Sequence, residues 1–122
     1  MKKVLVVDDS ASVRQQVSLA LTQAGLEVVE AKDGSDGLAK VSSRPDIGLI
    51  ISDVNMPNMN GLEMVQAVKK LPVAAKLPII MLTTEGNPAL MAEGKKAGAT
   101  GWMIKPFKAE ILVSAVKKLM AG

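Results

Sequence analysis

Polar side chains that can do chemistry follow four strongly apolar segments of this sequence, at the point where each segment ends. These residues are Asp8, Asp9, Asp53, Thr83 and Lys105. Clustered carboxylates bind hard cations such as Mg²⁺, and a lysine and a hydroxyl can hold the oxygens of a tetrahedral dianion. A carboxylate in such a site can act as a nucleophile and form an aspartyl phosphate. The residue types therefore indicate a site for a phosphoryl group beside a metal ion.

The composition excludes many other chemistries. The 122 residues include no His and no Cys. Serine–histidine and cysteine–histidine nucleophiles, thiol redox chemistry, disulfides and the common structural zinc sites are therefore absent. Because the chain has no His, it cannot itself carry a phosphohistidine. The remaining chemistry must come from carboxylates, hydroxyls, lysines, backbone amides and hard metal ions.

The charge is unevenly distributed along the chain. The net charge is +3, but residues 1–60 hold six basic and eight acidic residues, whereas residues 61–122 hold nine lysines and four glutamates. With one Trp and one Phe to stack on bases, the chain is a poor nucleic-acid binder, and the basic half favours an acidic protein partner. No segment has the length of a signal peptide or a membrane span, so we expect a cytoplasmic protein with no membrane partner.

Short apolar segments alternate with helical periodicity along the whole chain, which predicts a single α/β domain over residues 1–122. The predicted strands are 4–7, 27–31, 47–52, 78–82 and 101–104. The predicted helices are a first one capped by Asp9 or Ser10 and stopped by Gly25, then 33–43, a helix from Gly61, 88–97 and one from about 108 to 120. Five strands and five helices in alternation are typical of a parallel sheet.

In a parallel sheet the carboxyl ends of the strands lie at one edge, where open α/β sheets bind ligands. Asp8, Asp53 and Lys105 should therefore converge, although 45 and 52 positions separate them. Three carboxylates at this edge would repel one another unless a cation joined them. Because no His or Cys is present, Mg²⁺ is the cation that fits the donor set.

At this point the motifs match a known family. They are Asp8-Asp9-Ser10, Asp53-Val54-Asn55-Met56-Pro57 with Gly61, Thr83, and Lys105-Pro106-Phe107. The chain resembles the receiver domain of two-component response regulators over essentially all of its length, and is most similar to stand-alone chemotaxis regulators of the CheY type. The resemblance implies a flavodoxin-like fold, a doubly wound parallel sheet of five strands in the order 2-1-3-4-5.

The resemblance also implies a role for each motif residue. Asp53 would be the phosphoacceptor, and Asp8, Asp9, Asp53 and the backbone carbonyl of Asn55 would hold Mg²⁺. Lys105 would bind a phosphoryl oxygen, and the Lys105–Pro106 bond would be cis.

Four positions would serve switching and turnover. Thr83 would move toward the phosphoryl group on activation, and Trp102 occupies the switch-aromatic position, where Tyr or Phe is more usual. Asn55 and Glu85 match the two positions that tune dephosphorylation by controlling the attack of water.

The implied partners are proteins. A histidine kinase would donate the phosphoryl group to this chain, expected to be a monomer. The chain would catalyse only its own phosphorylation and dephosphorylation, and is therefore a switch rather than an enzyme. Output would pass through a lysine-rich face on helix 4, strand 5 and helix 5 to an acidic partner, in chemotaxis the flagellar motor switch or a kinase docking domain. This face, here named the basic face, comprises Lys95, Lys96, Trp102, Lys108, Lys117 and Lys118.

Several alternatives stay open at the level of sequence. Asp9 could cap the first helix, and Thr83 or Thr84 could cap the helix that follows. Trp102 could be partly buried core. At the level of function, the chain could be a phosphate sink or a phosphorelay intermediate, or a receiver fold that has lost phosphorylation. An aspartyl-nucleophile Mg²⁺ phosphatase is disfavoured, because Asp8-Asp9-Ser10 lacks the Asp-x-Asp spacing of that class.

Overall fold

The computed structural model describes residues 2–121, which form five β-strands and five α-helices in strict alternation. In chain order the elements are β1 (Lys3–Val7), α1 (Ala11–Gln23), β2 (Val28–Ala31), α2 (Gly34–Ser43), β3 (Ile47–Ser52), α3 (Gly61–Lys69), β4 (Ile79–Thr83), α4 (Pro88–Ala97), β5 (Gly101–Ile104) and α5 (Ala109–Ala121). None of the helices within residues 2–121 has the length and apolar character needed to cross a membrane.

The strands form one parallel sheet in the order β2-β1-β3-β4-β5. The predicted fold class and strand order are thus confirmed. The sheet is flanked on one side by α1 and α5 and on the other by α2, α3 and α4, each layer packed on its own apolar core. Because both faces are covered, the central strands are apolar at nearly every position rather than at alternate ones.

Side chains of β1 show how one strand serves both cores. Val4 and Val6 pack with α1 and α5, whereas Leu5 and Val7 pack with α2 and α3. All four are at most 1% exposed. Because β1 is packed on both faces, the position of its carboxyl end is fixed. The positions of Asp8 and Asp9, which follow it directly, are therefore fixed as well.

Short polar side chains begin the helices. Ser10, Asp33, Asn60 and Asn87 each accept a hydrogen bond from a backbone amide in the first turn of α1, α2, α3 and α4, respectively. Capping of α4 by Thr83 or Thr84 is therefore wrong. The predicted bounds of β3, α4 and β5 match the structure, whereas β2, α2 and α5 each begin one residue later than predicted.

Candidate functional site

The carboxyl edge of the sheet brings three carboxylates together. Asp8 and Asp9 follow β1, Asp53 follows β3, and these strands are neighbours in the sheet. One carboxylate oxygen from each residue lies within 4.8 Å of the others. Convergence of Asp8 and Asp53, predicted from the strand ends alone, is thus seen in the structure.

Lys105, which follows the edge strand β5, forms hydrogen bonds with two of these carboxylates. Its Nζ donates hydrogen bonds to Oδ2 of Asp8 at 2.8 Å and to Oδ2 of Asp53 at 3.1 Å. The three side chains are only 15%, 4% and 12% exposed, respectively, so water screens the interaction weakly. The peptide bond between Lys105 and Pro106 is cis, as the resemblance implied.

Burial sets the protonation preferences of this cluster. It raises the pKa of the Asp8 carboxyl above its ordinary value, and hydrogen bonds from Lys105 and from the Ser10 amide offset this only in part. Burial by itself would lower the pKa of Lys105, but the hydrogen bonds to Asp8 and Asp53 outweigh it, and the net pKa lies above its ordinary value. Lys105 is therefore a fixed positive charge at neutral pH, and because burial disfavours the charged form of Asp8, a further cation nearby would stabilise its carboxylate.

The turn after β1 is fixed by hydrogen bonds on both sides of Asp8. Its Oδ1 accepts from the Ser10 amide at 2.9 Å, and its carbonyl oxygen accepts from the Arg14 guanidinium at 2.6 Å. Arg14 also pairs with Glu30 on β2 at 3.2 Å. Ser10, not Asp9, caps α1, so the exposed Asp9 carboxylate is not used as a helix cap.

The loop after β3 presents Asp53 through close backbone contacts. Oδ1 of Asp53 accepts from the Val54 amide at 2.7 Å, and its carbonyl oxygen accepts from the Ser52 hydroxyl at 2.8 Å. A Cβ on Gly61 would lie 2.0 Å from that carbonyl oxygen, so only glycine fits there. The motif glycine therefore allows α3 to start directly beside the candidate phosphoacceptor.

Glu85 connects the remaining predicted residues. Its backbone amide donates to the Thr83 hydroxyl at 3.3 Å, its carbonyl oxygen accepts from the Trp102 indole at 2.8 Å, and its carboxylate accepts from the Asn55 side chain at 3.2 Å. Thr83 is fully buried at the end of β4, and Trp102 is half-buried. The predicted switch and tuning residues thus form one hydrogen-bonded group, which lies beside the acidic cluster because Asn55 is two residues from Asp53.

The donor set of the cluster fits Mg²⁺. All of its candidate ligands are oxygens, they come from three carboxylates with a backbone carbonyl two residues beyond Asp53, and one of them, Asp9, is exposed to solvent. Mg²⁺ prefers carboxylates, carbonyls and retained waters in this combination. Carboxylates placed side by side repel one another, and this repulsion is the physical reason to expect a cation there.

The sequence did not reveal three supporting residues. Arg14 holds the carbonyl of Asp8, and Asp33 and Asn58 join the start of α2 to the loop after β3. The sequence predicts Asp33 as the first residue of the second helix, but the contact of Asp33 with Asn58 spans 25 positions and has no signal in one sequence.

Comparisons with known proteins agree with this geometry. The family described as response regulator receiver domain matches residues 4–117. The chain is 40% identical to the chemotaxis protein CheY1 of Helicobacter pylori over 111 residues, 90% of each chain. It is 37% identical to the chemotaxis protein CheY homolog of Campylobacter jejuni over 119 residues, 97% of this chain and 92% of that one. The solved structure of the chemotaxis protein CheY4 of Vibrio cholerae superimposes with a TM-score of 0.91 at 50% identity, covering 98% of each chain.

Proposed function

This chain belongs to the response regulator receiver domain family, and from that premise we propose that it is a phosphorylation-activated switch whose phosphoacceptor is Asp53. CheY-type receiver domains are signalling switches of two-component systems rather than classical enzymes. The observation that carries the proposal is the contact of one lysine with two of three clustered carboxylates at the sheet edge. We take the receiver unit to be residues 1–122.

The proposed reaction is a phosphoryl transfer from a histidine kinase. A carboxylate oxygen of Asp53 attacks the phosphorus of a phosphohistidine, so an O–P bond forms while the N–P bond breaks and the imidazole leaves. Lys105 is positioned to bind an oxygen of the transferred group, because its Nζ already lies 3.1 Å from Asp53. The Val54 amide orients the carboxylate from the other side. Positioning and fixed charge supply most of the catalysis in transfers of this kind.

Mg²⁺ is the proposed cofactor, held by Asp8, Asp9, Asp53 and the carbonyl of Asn55. When bound it neutralises charge on the phosphoryl oxygens. The Ser10 amide and the Arg14 guanidinium both donate hydrogen bonds to Asp8, so two groups fix the position of this single ligand.

Activation would act through the group centred on Glu85. The Thr83 hydroxyl oxygen now accepts a hydrogen bond from the Glu85 amide, and a phosphoryl oxygen on Asp53 would give the hydroxyl hydrogen a charged acceptor that draws Thr83 toward it. Movement of Thr83 would disturb the Glu85 backbone, and with it the acceptor of the Trp102 indole. Two arrangements of this group, biased by one phosphoryl group, constitute the proposed switch.

The sole tryptophan makes this switch observable. We expect Mg²⁺ with acetyl phosphate to change the fluorescence of Trp102 in the wild type, because the polar partner of the indole would shift. Asp53→Asn should show no change beyond that caused by Mg²⁺ alone. If the wild type gains a phosphoryl group by mass while its emission stays the same, Trp102 is not part of the switch.

The proposed partner surface is the basic face defined above. Its lysines are exposed, and none of Lys95, Lys96 and Lys118 forms an ion pair with a carboxylate among residues 2–121. Beside them, a cavity of about 380 Å³ between α4 and β5 is lined by Met91, Lys95 and Trp102 together with small residues. A basic rim around an apolar cavity suits an acidic protein segment, proposed here to belong to the flagellar motor switch or a kinase docking domain.

Charge neutralisation tests this surface. Changing Lys95, Lys96 and Lys118 to Gln should weaken binding of the motor switch protein by about 3- to 160-fold, because exposed pairs contribute about 0.2 to 1 kcal/mol each. The salt dependence of binding should also become shallower. A control that changes Lys2, Lys32 and Lys76 removes the same charge away from the face. Equal affinity and equal salt dependence in the two triple variants would contradict the assignment.

A further inference from the structure

A buried carboxylate outside the acidic cluster ties two loops together. Asp33, 5% exposed, uses Oδ1 to accept the Asp36 amide at 2.8 Å, which caps α2. Its other oxygen, Oδ2, accepts from the side-chain amide of Asn58 at 2.8 Å. Capping needs only one carboxylate oxygen, so the hydrogen bond from Asn58 is not required for the cap and instead links α2 to the loop after β3.

A second contact runs parallel to the first. The Gly34 amide donates to the carbonyl oxygen of Met59 at 3.1 Å, and a Cβ on Gly34 would lie 2.4 Å from that oxygen. Asn58 has a φ of 68°, a left-handed conformation that only a few residue types adopt readily. The two contacts, Asp33–Asn58 and Gly34–Met59, are here named the loop latch. They hold the loop against the start of α2.

The charge state of Asp33 suits this role. Hydrogen bonds from the Asp36 amide and from Asn58 lower the pKa of the Asp33 carboxyl below its ordinary value. The side chain is therefore ionised at neutral pH, and the bond that it accepts from Asn58 is charge-assisted and stronger than a neutral one.

The latch acts on the loop that carries the candidate metal ligands. Asn58 is three residues beyond Asn55 and five beyond Asp53, and the loop closes where the Gly61 amide donates to the Val54 carbonyl at 2.8 Å. On the opposite side, Asn55 is held by Glu85 at 3.2 Å. The segment between Asp53 and Gly61 is thus tethered to α2 on one flank and to the β4–α4 loop on the other.

We infer that the Asp33–Asn58 hydrogen bond is a positioning contact that presets the Asn55 carbonyl for Mg²⁺, so that metal affinity depends on a pair of residues that do not touch the metal. This inference rests on the proposed metal site. Contacts that orient ligands from behind typically change metal affinity by about 10- to 100-fold when removed. Thermodynamic reciprocity requires that Mg²⁺ in turn strengthens the latch.

The test is a set of variants titrated with Mg²⁺ by calorimetry. Asn58→Asp keeps the size of the side chain but places a carboxylate against Asp33, and should weaken Mg²⁺ binding by about 10-fold. The added negative charge alone would favour the cation, so a fall in affinity reports the broken latch. Asn58→Gly keeps the left-handed backbone and removes the bond, and should weaken binding in the same direction. Thermal unfolding without metal shows that each variant is folded.

An exchanged pair supplies the rescue. In Asp33→Asn combined with Asn58→Asp, the donor and acceptor change places, α2 keeps its capping oxygen and the net charge is that of the wild type. This double variant should recover most of the lost affinity. In the wild type, Mg²⁺ should also slow hydrogen exchange at the Gly34 amide, which donates to Met59.

Each result has a definite meaning. Weakened binding in both single variants, with recovery in the exchanged pair, supports the latch. Equal affinity in the wild type and the single variants would overturn the latch and leave the metal site intact, as would failure of the exchanged pair to recover. Absence of Mg²⁺ binding by the wild type itself would overturn the proposed metal site, and the latch with it.

Discussion

Asp53→Asn should abolish phosphorylation by acetyl phosphate, whereas the wild type should gain the mass of one phosphoryl group in the presence of Mg²⁺. The reason is chemical rather than structural. An amide has the size and shape of the carboxylate and can still accept from the Val54 amide, but it lacks the charged oxygen that attacks phosphorus. Asp8 should not substitute, because its side chain is only 4% exposed, against 12% for Asp53, and Asp9 forms no hydrogen bond with Lys105 among the described residues.

A matched control removes a carboxylate from the other end of the same strand. Asp46 immediately precedes β3, where it pairs with Lys3 at 3.4 Å on the surface opposite the acidic cluster. Asp46→Asn should therefore be phosphorylated like the wild type. Intact-mass spectrometry of the three proteins, treated alike, gives the answer. An unmodified wild type, or an Asp53→Asn protein that gains the same mass, would contradict the assignment.

Lys105→Met should slow the same reaction by about 10²- to 10³-fold, the range seen when one preorganised donor to a developing negative charge is removed. Met keeps the length of the side chain but carries no charge and no hydrogen-bond donor. Without the lysine, Asp8 and Asp53 lose the hydrogen bonds at 2.8 and 3.1 Å that Lys105 Nζ now donates to them, and the two carboxylates face each other directly. The pKa of Asp8, already raised by burial, should rise further.

The comparison for Lys105 is Lys76→Met, which removes a lysine that is exposed in the α3–β4 connection and makes no ion pair among residues 2–121. Initial rates followed by mass at fixed acetyl phosphate and Mg²⁺ should be unchanged in this variant. Circular dichroism on both variants separates a chemical defect from a folding defect. If Lys105→Met reacted at the rate of Lys76→Met, the lysine would have no part in the transfer.

The fold could be predicted because its signals are local and strong. β1, β3 and β4 lie in the middle of the sheet with both faces covered, so they are continuous apolar runs that stand out from the helical periodicity on either side. Once the strands are parallel, their carboxyl ends share an edge, and the meeting of Asp8, Asp53 and Lys105 follows from topology.

The hydrogen bonds that position the site residues were harder to predict, because they depend on the conformations of the loops. The indole of Trp102 donates to the carbonyl of Glu85, 17 positions earlier, and no periodicity encodes that contact. The same holds for Asp33, which the sequence placed as the first residue of α2 and which in the structure caps that helix while holding Asn58. Capping of α4 went to Asn87 because β4 extends through Thr83, which leaves the next three residues as a connection.

The most direct measurement locates the phosphoryl group in the wild type. Borohydride reduces an acyl phosphate to an alcohol, so treatment of the phosphorylated protein converts the modified aspartate to homoserine, which peptide sequencing by mass spectrometry then identifies. We expect homoserine at position 53 and unmodified aspartate at positions 8 and 9. Homoserine at either of those two positions, or at no aspartate at all, would contradict the identification of Asp53 as the phosphoacceptor.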